Sequence, residues 1–251
     1  MKKIIKKLIN KFGYDINKQN SKKLNFDDIY KMFFNDNIII FDIGANKGQS
    51  IERFKKIFPN SIIHAFEPIK KEFNFLCNKY KNQKNIYLNN TALGDDNYKK
   101  EINLAKRSGV SSFNEFNKNH EWIKVRSKEY NSNVENFLTG KELCDVITLE
   151  KYCNEQSIGN IDILKIDTQG YEDKVLYGAK NLLLNNNISC VELEIIFDDT
   201  YHRNLSFTDI EKYLIPNFRF SGIKNYNQNL FEGINFFAEV LYIHEKLKKK
   251  K

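Results

Sequence analysis

The residues of this chain best suited to chemistry fall in three short runs. The first, Asp42-Ile43-Gly44-Ala45-Asn46-Lys47-Gly48, follows the apolar stretch Ile38 to Ile40. The second ends on Glu67 after Ile62-Ile63-His64-Ala65-Phe66, and the third is Lys165-Ile166-Asp167-Thr168-Gln169-Gly170. A strand that ends in a glycine-bearing turn and enters a helix offers free backbone N–H groups and a positive helix end to a ligand. Gly44 and Gly48 bracket such a turn, yet Asn46 takes the place of the middle glycine that lets a pyrophosphate approach. Asp42 also repels a diphosphate, whereas it attracts an ammonium by about 4 kcal/mol at 4 Å near a surface. S-adenosylmethionine, with its zwitterionic methionyl group, fits that charge pattern. Glu67 stands 23 residues beyond Gly44, where an acid accepts hydrogen bonds from ribose hydroxyls. Taken singly, Asp42 or Glu67 is equally a helix cap or a surface acid.

Asp167 ends a strand pattern, and ligands of open α/β sheets bind beyond the carboxyl ends of strands, so it faces the methyl donor. Lys165 and Asp167 are two apart and project from one face of that strand. Burial makes an unpaired charge expensive there, so the other reading is a structural ion pair or a cap of the helix near Glu172. Thr168, Gln169 and Gly170 form the following turn and are placed to hold an acceptor by hydrogen bonds. Glu192 and Glu194 repeat the arrangement in the apolar segment Cys190 to Ile196. Burial raises a carboxylate's pKa and lets it accept a proton near neutral pH, and Glu194 is nearer the strand's end. Tyr201-His202-Arg203 follows in the next loop, and His202 needs no perturbation to act as a base around pH 7. Asp167 and His202 are thus both candidates to remove a proton from an attacking hydroxyl. Asp145, Asp162 and these acids are hard oxygen donors, but no local motif dictates a metal site and none is assigned.

These residues need elements to carry them. Apolar strand patterns recur at Ile38 to Asp42, Ser61 to Glu67, Asn85 to Leu93, Ile161 to Asp167 and Ile188 to Ile196. Helical patterns lie between them at Gly48 to Phe58, Glu72 to Tyr80 and Glu172 to Leu184. This alternation predicts a parallel sheet covered by helices. Between Asp95 and Thr148 it breaks into short polar pieces, with an extended segment at Lys100 to Leu104, read as an insertion (96–147) over the sheet edge. Phe218 to Gly222 and Ile234 to Tyr242 predict a closing hairpin and an antiparallel edge. The domain spans 37–245, preceded by a helical arm (1–36) and followed by a basic tail (246–251). In the arm Ile5, Leu8, Ile9 and Phe12 recur at helical spacing among lysines, a pattern for packing on this chain or a second copy, or for lying on a membrane.

Hydrophobic residues at 41% and 14% aromatics exclude a disordered chain, and 3 Pro leave little material for a linker. No apolar run nears the roughly 20 residues that span a bilayer, and the first residues lack a secretory apolar region, which predicts a cytoplasmic protein. The four cysteines, Cys77, Cys144, Cys153 and Cys190, have no metal-ligand spacing and imply no disulfide. The charge of +8 is concentrated at the two ends of the chain, so it argues only weakly for a nucleic-acid partner.

Six segments in order resemble the FkbM-type methyltransferases: Asp42 to Gln49, Phe66-Glu67-Pro68, Thr91 to Asp95, Ser108 to Ser112, Val146 to Glu150 and Leu164 to Glu172. The resemblance covers residues 38 to 200. It implies a Rossmann-like class I methyltransferase fold: α/β, a seven-stranded mostly parallel sheet with an antiparallel edge strand and helices on both faces. It implies a bound S-adenosyl-L-methionine and methylation of a hydroxyl. On this resemblance Gln49, Pro68 and Asp167 join Asp42, Gly44, Ala45, Asn46, Gly48 and Glu67 around the cofactor, and Leu93, Gly94 and Asp95 flank its adenine. Ser111 and Ser112 join Gln169, Glu192 and Tyr201 on the acceptor side, with Lys165 and Glu194 beside the candidate bases. Members of the family most often act on sugar hydroxyls in bacterial surface glycans and their nucleotide-linked precursors. A nucleotide-linked sugar is therefore the favoured partner, with Lys106, Arg107, Arg126 and Lys128 available for its phosphates. An RNA ribose 2′-O-methyltransferase and a non-catalytic cofactor- or protein-binding domain are the competing readings. Association into a homo-oligomer is compatible with either.

Overall fold

The computed structural model describes residues 25–129, 133–197, 199–227 and 235–248. The chain divides into two compact units, 1–32 and 33–251. The described residues of the first belong to helix α1 (Phe26–Phe33) and its cap, Asn25, whose Oδ1 accepts the Asp28 N–H at 2.7 Å. The patterned segment from Ile5 to Phe12 and the last lysines, 249–251, lie outside the described residues.

The second unit carries strands β1 (Ile39–Ile43), β2 (Ile62–Phe66), β3 (Ile86–Asn89), β4 (Ala92–Leu93), β5 (Tyr98–Ala105) and β6 (Leu138–Ile147). They are followed by β7 (Ile161–Ile166), β8 (Ile188–Ile196), β9 (Phe218–Asn227) and β10 (Asn235–His244). Seven of them form one sheet in the order β3-β2-β1-β7-β8-β10-β9. The five strands from β3 to β8 are parallel, and β10 is antiparallel to both of its neighbours. β1 and β7 read as near-continuous runs of Ile, Leu and Phe because helices cover both of their faces. Ile40, Phe41, Ile163 and Leu164 are fully buried, each contributing roughly 1.5–3 kcal/mol. The chain leaves β1 toward β2 and β3 and later returns to place β7 on the other side of β1. The switch point between β1 and β7 is where such sheets bind ligands.

Four features differ from the sequence patterns. The segment Asn85 to Leu93 is two strands, because Asn89 donates from Nδ2 to Ala65 O at 3.2 Å and Asn90 donates to Glu67 O at 3.0 Å. These amides engage carbonyls that a continuing strand would use, and the chain leaves the sheet. β4 then pairs with β6 in a second sheet of order β4-β6-β5. The insertion that forms this sheet lies over the carboxyl ends of β7 and β8 rather than over an edge. Ser112 Oγ donates to Gln169 O at 2.6 Å, Asn114 Nδ2 to Gly170 O at 2.7 Å, and Phe116 bridges Tyr201. The antiparallel strand sits one place in from the edge, since Ala238 and Val240 to Ile243 are buried on β10, whereas β9 is open to solvent at Phe220 and Ile223.

The helical pattern from Glu172 to Leu184 is likewise two helices, α7 (Glu172–Tyr177) and α8 (Lys180–Leu184). They part at Gly178, where a Cβ would lie 2.0 Å from the carbonyl oxygen of Gly94. Gly178→Ala is expected to force these segments apart and to destabilise the domain by about 1–3 kcal/mol, read as a lower urea midpoint at unchanged slope.

Candidate active site

A cleft of about 1210 Å³ opens at the carboxyl ends of β1 and β7. One end is apolar, with Leu93, Ile102, Phe113 and Tyr171 on its walls, and the other presents Lys165, Asp167, Gln169 and Glu194. The turn after β1 forms the boundary. Gly44 (φ +85°) and Ala45 both donate their N–H to Phe66 O at 3.0 Å, while Asp167 N–H donates to Ile43 O at 2.9 Å. A Cβ on Gly44 would lie 1.9 Å from Asp167 O, so the glycine is required by the end of β7 rather than by a pyrophosphate. Asn46 N–H donates to Glu67 Oε2 and Ile69 N–H to Glu67 Oε1, each at 2.8 Å. Burial pushes the Glu67 carboxyl up to about 7 against the pull of these two N–H groups. Each of its oxygens keeps a second lone pair, and the side chain lines the cleft.

Strand register sets a row of charges across the sheet: Asp42 on β1 faces Lys165 on β7, which faces Glu192 on β8. The Asp42 carboxylate is fully buried without a hydrogen-bond partner, and its Oδ1 is 3.8 Å from Lys165 Nζ. Burial raises its pKa to about 6, with Lys165 pulling the other way. Burial alone would lower Lys165, but the charges of Asp167, Asp42 and Glu192 outweigh it and hold the ammonium above its usual range. Lys165 Nζ donates to Asp167 Oδ2 at 3.1 Å. Glu192, also buried, receives the fork of Arg53 from helix α2 (Gln49–Ile57), at 2.5 and 3.1 Å.

The turn after β7 is fastened by Glu172, whose Oε1 accepts from Thr168 N–H at 2.9 Å, Thr168 Oγ1 at 3.0 Å and Gly170 N–H at 3.2 Å. Gln169 donates from Nε2 to Asp167 Oδ1 at 2.9 Å and to Glu194 Oε2 at 2.6 Å. Burial, then the charges of Asp167 and Glu172, push Glu194 well above the usual carboxylate range; Lys165 and the Gln169 amide oppose this. The result is a carboxylate of raised proton affinity in an open cleft, which is the property of a general base.

Of the residues singled out in the sequence, Gly44, Ala45, Asn46, Gln49, Glu67, Pro68, Leu93, Ser111, Lys165, Asp167, Gln169 and Glu194 line this cleft. Several others do not. His202 is exposed on the loop beyond β8, outside the cleft lining, and is not placed to act as the base. Asp95 is turned away from the adenine end to Lys174 (2.7 Å) and Tyr98 (2.7 Å), and Gly94 packs against Gly178. Gly48 begins α2 against Tyr80. Glu192 answers Arg53 rather than an acceptor, and Ser112 and Tyr201 act through Gln169, to its O at 2.6 Å and its Oε1 at 3.2 Å. Of the basic residues, Lys106 and Arg107 line the cleft, Lys128 is exposed, and the side chain of Arg126 is outside the described residues. Sequence reasoning missed Glu172 as the anchor of the reactive turn, Asn114 as its second clamp, and Phe237 and Glu239 on the cleft wall. The spacing of Glu172 to Thr168 was a usable signal; the other three depend on long-range packing.

The groups present fit S-adenosylmethionine: a turn with no room for a side chain, an acid at the end of β2, and an unpartnered buried carboxylate beside the cleft. The family model described as the methyltransferase FkbM domain matches residues 42–227. Among solved structures, the chain resembles the methyltransferase FkbM from Methylobacillus flagellatus at 15% identity and a TM-score of 0.54. That alignment covers 84% of this chain and 44% of the other, so this chain spans about half the length of that protein. An rRNA methylase from Streptococcus thermophilus is more distant, at 10% identity, coverage of 89% and 99%, and a TM-score of 0.47. No curated protein matches the chain.

The buried acids make stability fall with rising pH. Glu67 and Glu172, both raised to about 7 from 4.5, keep a proton when folded at pH values where the unfolded chain has lost it. Stability is therefore fully present below about pH 4.5 for these groups and is lost as pH rises through 7. Between pH 6 and pH 8 each is expected to remove on the order of 1 kcal/mol, and Glu172→Gln is expected to flatten the slope of urea stability against pH by its share.

Proposed function

This chain belongs to the FkbM methyltransferases, and from that premise we propose that it is an S-adenosylmethionine-dependent O-methyltransferase acting on a sugar hydroxyl. The favoured acceptor is a nucleotide-activated sugar or a surface-glycan (capsule or lipopolysaccharide) precursor. The observation that carries this reading is the carboxylate pair Asp167 and Glu194, bridged by Gln169 and open to the same cleft as the glycine turn and Glu67. When bound, S-adenosylmethionine supplies an electrophilic methyl on a sulfonium. Gly44, Ala45 and Glu67 would hold its nucleoside and methionyl parts, with Leu93 and Tyr171 beside the adenine.

Asp167 and Glu194 take the proton of the attacking hydroxyl, and Lys165 orients Asp167 through a hydrogen bond to its Oδ2 at 3.1 Å. Acids, an amide and the apolar surface of Phe237 and Ile196 suit a polyhydroxylated ring, whose hydroxyls donate to carboxylates while its C–H faces pack on apolar side chains. Lys106 and Arg107, elsewhere on the cleft wall, suit the phosphates of a carrier nucleotide. The four cysteines are free, as in a reducing compartment, which supports a cytoplasmic enzyme. Among the described residues no helix is long and apolar enough to cross a membrane.

The test is turnover of labelled S-adenosylmethionine against a panel of sugar nucleotides, with products read by mass spectrometry. Methylated sugar nucleotide is the expected product, and methylation of RNA with a steep loss of affinity in salt would replace the sugar reading by ribose methylation. Asp167→Asn is expected to lower kcat by ~10² to 10⁴ while cofactor affinity is retained, because orientation alone supplies the remaining rate. Full turnover by that variant would remove Asp167 from the proton-accepting pair.

A further inference from the structure

The geometry points to Gln169 as a positioning residue that makes one proton-accepting pair of Asp167 and Glu194, with Tyr201 helping to set which end of the Gln169 amide the carboxylates meet. The role in turnover rests on the methyl-transfer reading above; the coupling of the three side chains does not.

An amide nitrogen has two hydrogens, and here one is directed at each acid, at 2.9 Å to Asp167 Oδ1 and 2.6 Å to Glu194 Oε2. The opposite amide orientation would set the Gln169 carbonyl against both carboxylates. The Tyr201 hydroxyl adds to this preference, because its one hydrogen is shared between two acceptors, Val110 O at 3.0 Å and Gln169 Oε1 at 3.2 Å. Tyr201 cannot easily leave: it is 2% exposed, its ring lies 5.0 Å from that of Phe116, and its backbone is bridged to the same residue. The main chain is held as firmly. Gln169 has φ +58°, a left-handed conformation that side-chain-bearing residues adopt uncommonly, and Ser112 Oγ and Asn114 Nδ2 bind its own carbonyl and that of Gly170. Three residues from two separate segments, Ser112, Asn114 and Tyr201, thus converge on placing one amide.

The consequence is a division of labour between the two acids. Lys165 Nζ is 3.1 Å from Asp167, while Glu194 is held by the Gln169 amide and is raised above the usual carboxylate range by burial and the charges of Asp167 and Glu172. Glu194 is faced by Lys165 and Asp167 of β7, Glu172 at the start of α7, Glu239 as its cross-strand partner on β10, and Glu192 two places earlier on its own strand. Against this surplus of negative charge the amide N–H of Gln169 is a near, fixed donor that favours the charged form of Glu194. Removing it raises the proton affinity of Glu194.

The proposal is tested on the unliganded protein by infrared titration of the buried carboxyl C=O band, assigned with Glu194→Gln, in wild type, Gln169→Met and Tyr201→Phe. Gln169→Met is expected to move the Glu194 midpoint upward by about one pH unit, about tenfold in proton affinity. Tyr201→Phe, which lets the amide turn, is expected to give a smaller shift of the same sign. With an acceptor from the sugar-nucleotide panel, the rising limb of kcat against pH moves up by the same amounts while the S-adenosylmethionine Kd stays within twofold. An unmoved Glu194 midpoint in the folded variants overturns the proposal, and Tyr201→Phe decides it alone if Gln169→Met does not fold. A wild-type protein that binds S-adenosylmethionine and methylates nothing counts against the proposed function only, because the infrared midpoints are read without turnover.

Discussion

One buried ammonium, that of Lys165, holds together a sheet end that would otherwise repel itself. Asp42, Asp167, Glu192 and Glu194 gather at the carboxyl ends of three adjacent parallel strands, and Lys165 stands in the middle strand of the three. The only other cation in direct contact with these acids among the described residues is Arg53, which is committed to Glu192. A buried ion pair seldom stabilises a fold relative to apolar side chains, so such a row is a poor device for stability. It is a good device for grading acidity. Asp167 has a direct hydrogen bond to the ammonium, Asp42 has only its field at 3.8 Å, and Glu194 is pushed up by burial and by its acidic neighbours. Burial and these neighbours leave Glu194 above the usual carboxylate range, and its side chain opens to the cleft.

The same strand end also fixes the geometry of the two halves of the site. Gly44 is a glycine because the carbonyl of Asp167 comes within 1.9 Å of where its Cβ would be, and the N–H of Asp167 is bonded to Ile43. The glycine turn after β1 and the residue that ends β7 therefore share one backbone contact at the switch point. A side chain at position 44 would displace both at once. The insertion adds a second constraint from above, since Ser108 receives the Asn46 amide at 3.0 Å while Ser112 and Asn114 hold the turn at 169 and 170. Floor and roof are tied to the same two turns, which is how a loop as strained as Gln169-Gly170 stays in place.

What could be read from the sequence was what is local. The strands at β1, β2, β7 and β8, the glycine turn, Glu67, and the pairing of Lys165 with Asp167 follow from alternation and spacing within two dozen residues. The acids at 192 and 194 were visible as a pair, but not that they part company. Glu192 meets Arg53, 139 residues earlier, while Glu194 meets Gln169, and only helix packing decides this. His202 was misplaced for the same reason: a loop's residue types give its chemistry without its direction, and here Tyr201 points inward and His202 outward. Asp95 is within the matching motif, yet Tyr98 and Lys174 take its carboxylate. The position of β10 inside the sheet rather than at its edge was present in the sequence as a longer apolar run than β9 possesses.

The distribution of charge along the cleft limits how any acceptor can lie in it. The chain carries a net charge of +8, but its reacting end is acidic, with Asp167, Glu194 and Glu239 on the wall. A phosphate brought to that end would meet three acids against one ammonium, Lys165, which is already bonded to Asp167, and each like-charge pair at 4 Å costs about 4 kcal/mol even at a surface-like dielectric. The basic side chains of the same cleft, Lys47, Lys71, Lys106 and Arg107, belong to the glycine turn, the start of helix α3 (Lys70–Tyr80) and the insertion. A sugar carried on a nucleotide would then enter with its phosphates toward these segments and its neutral ring toward Asp167 and Glu194. A polyanion lying along the whole cleft would instead have to cross the acidic end, which is the physical reason that the positive net charge of this chain is a weak argument for RNA.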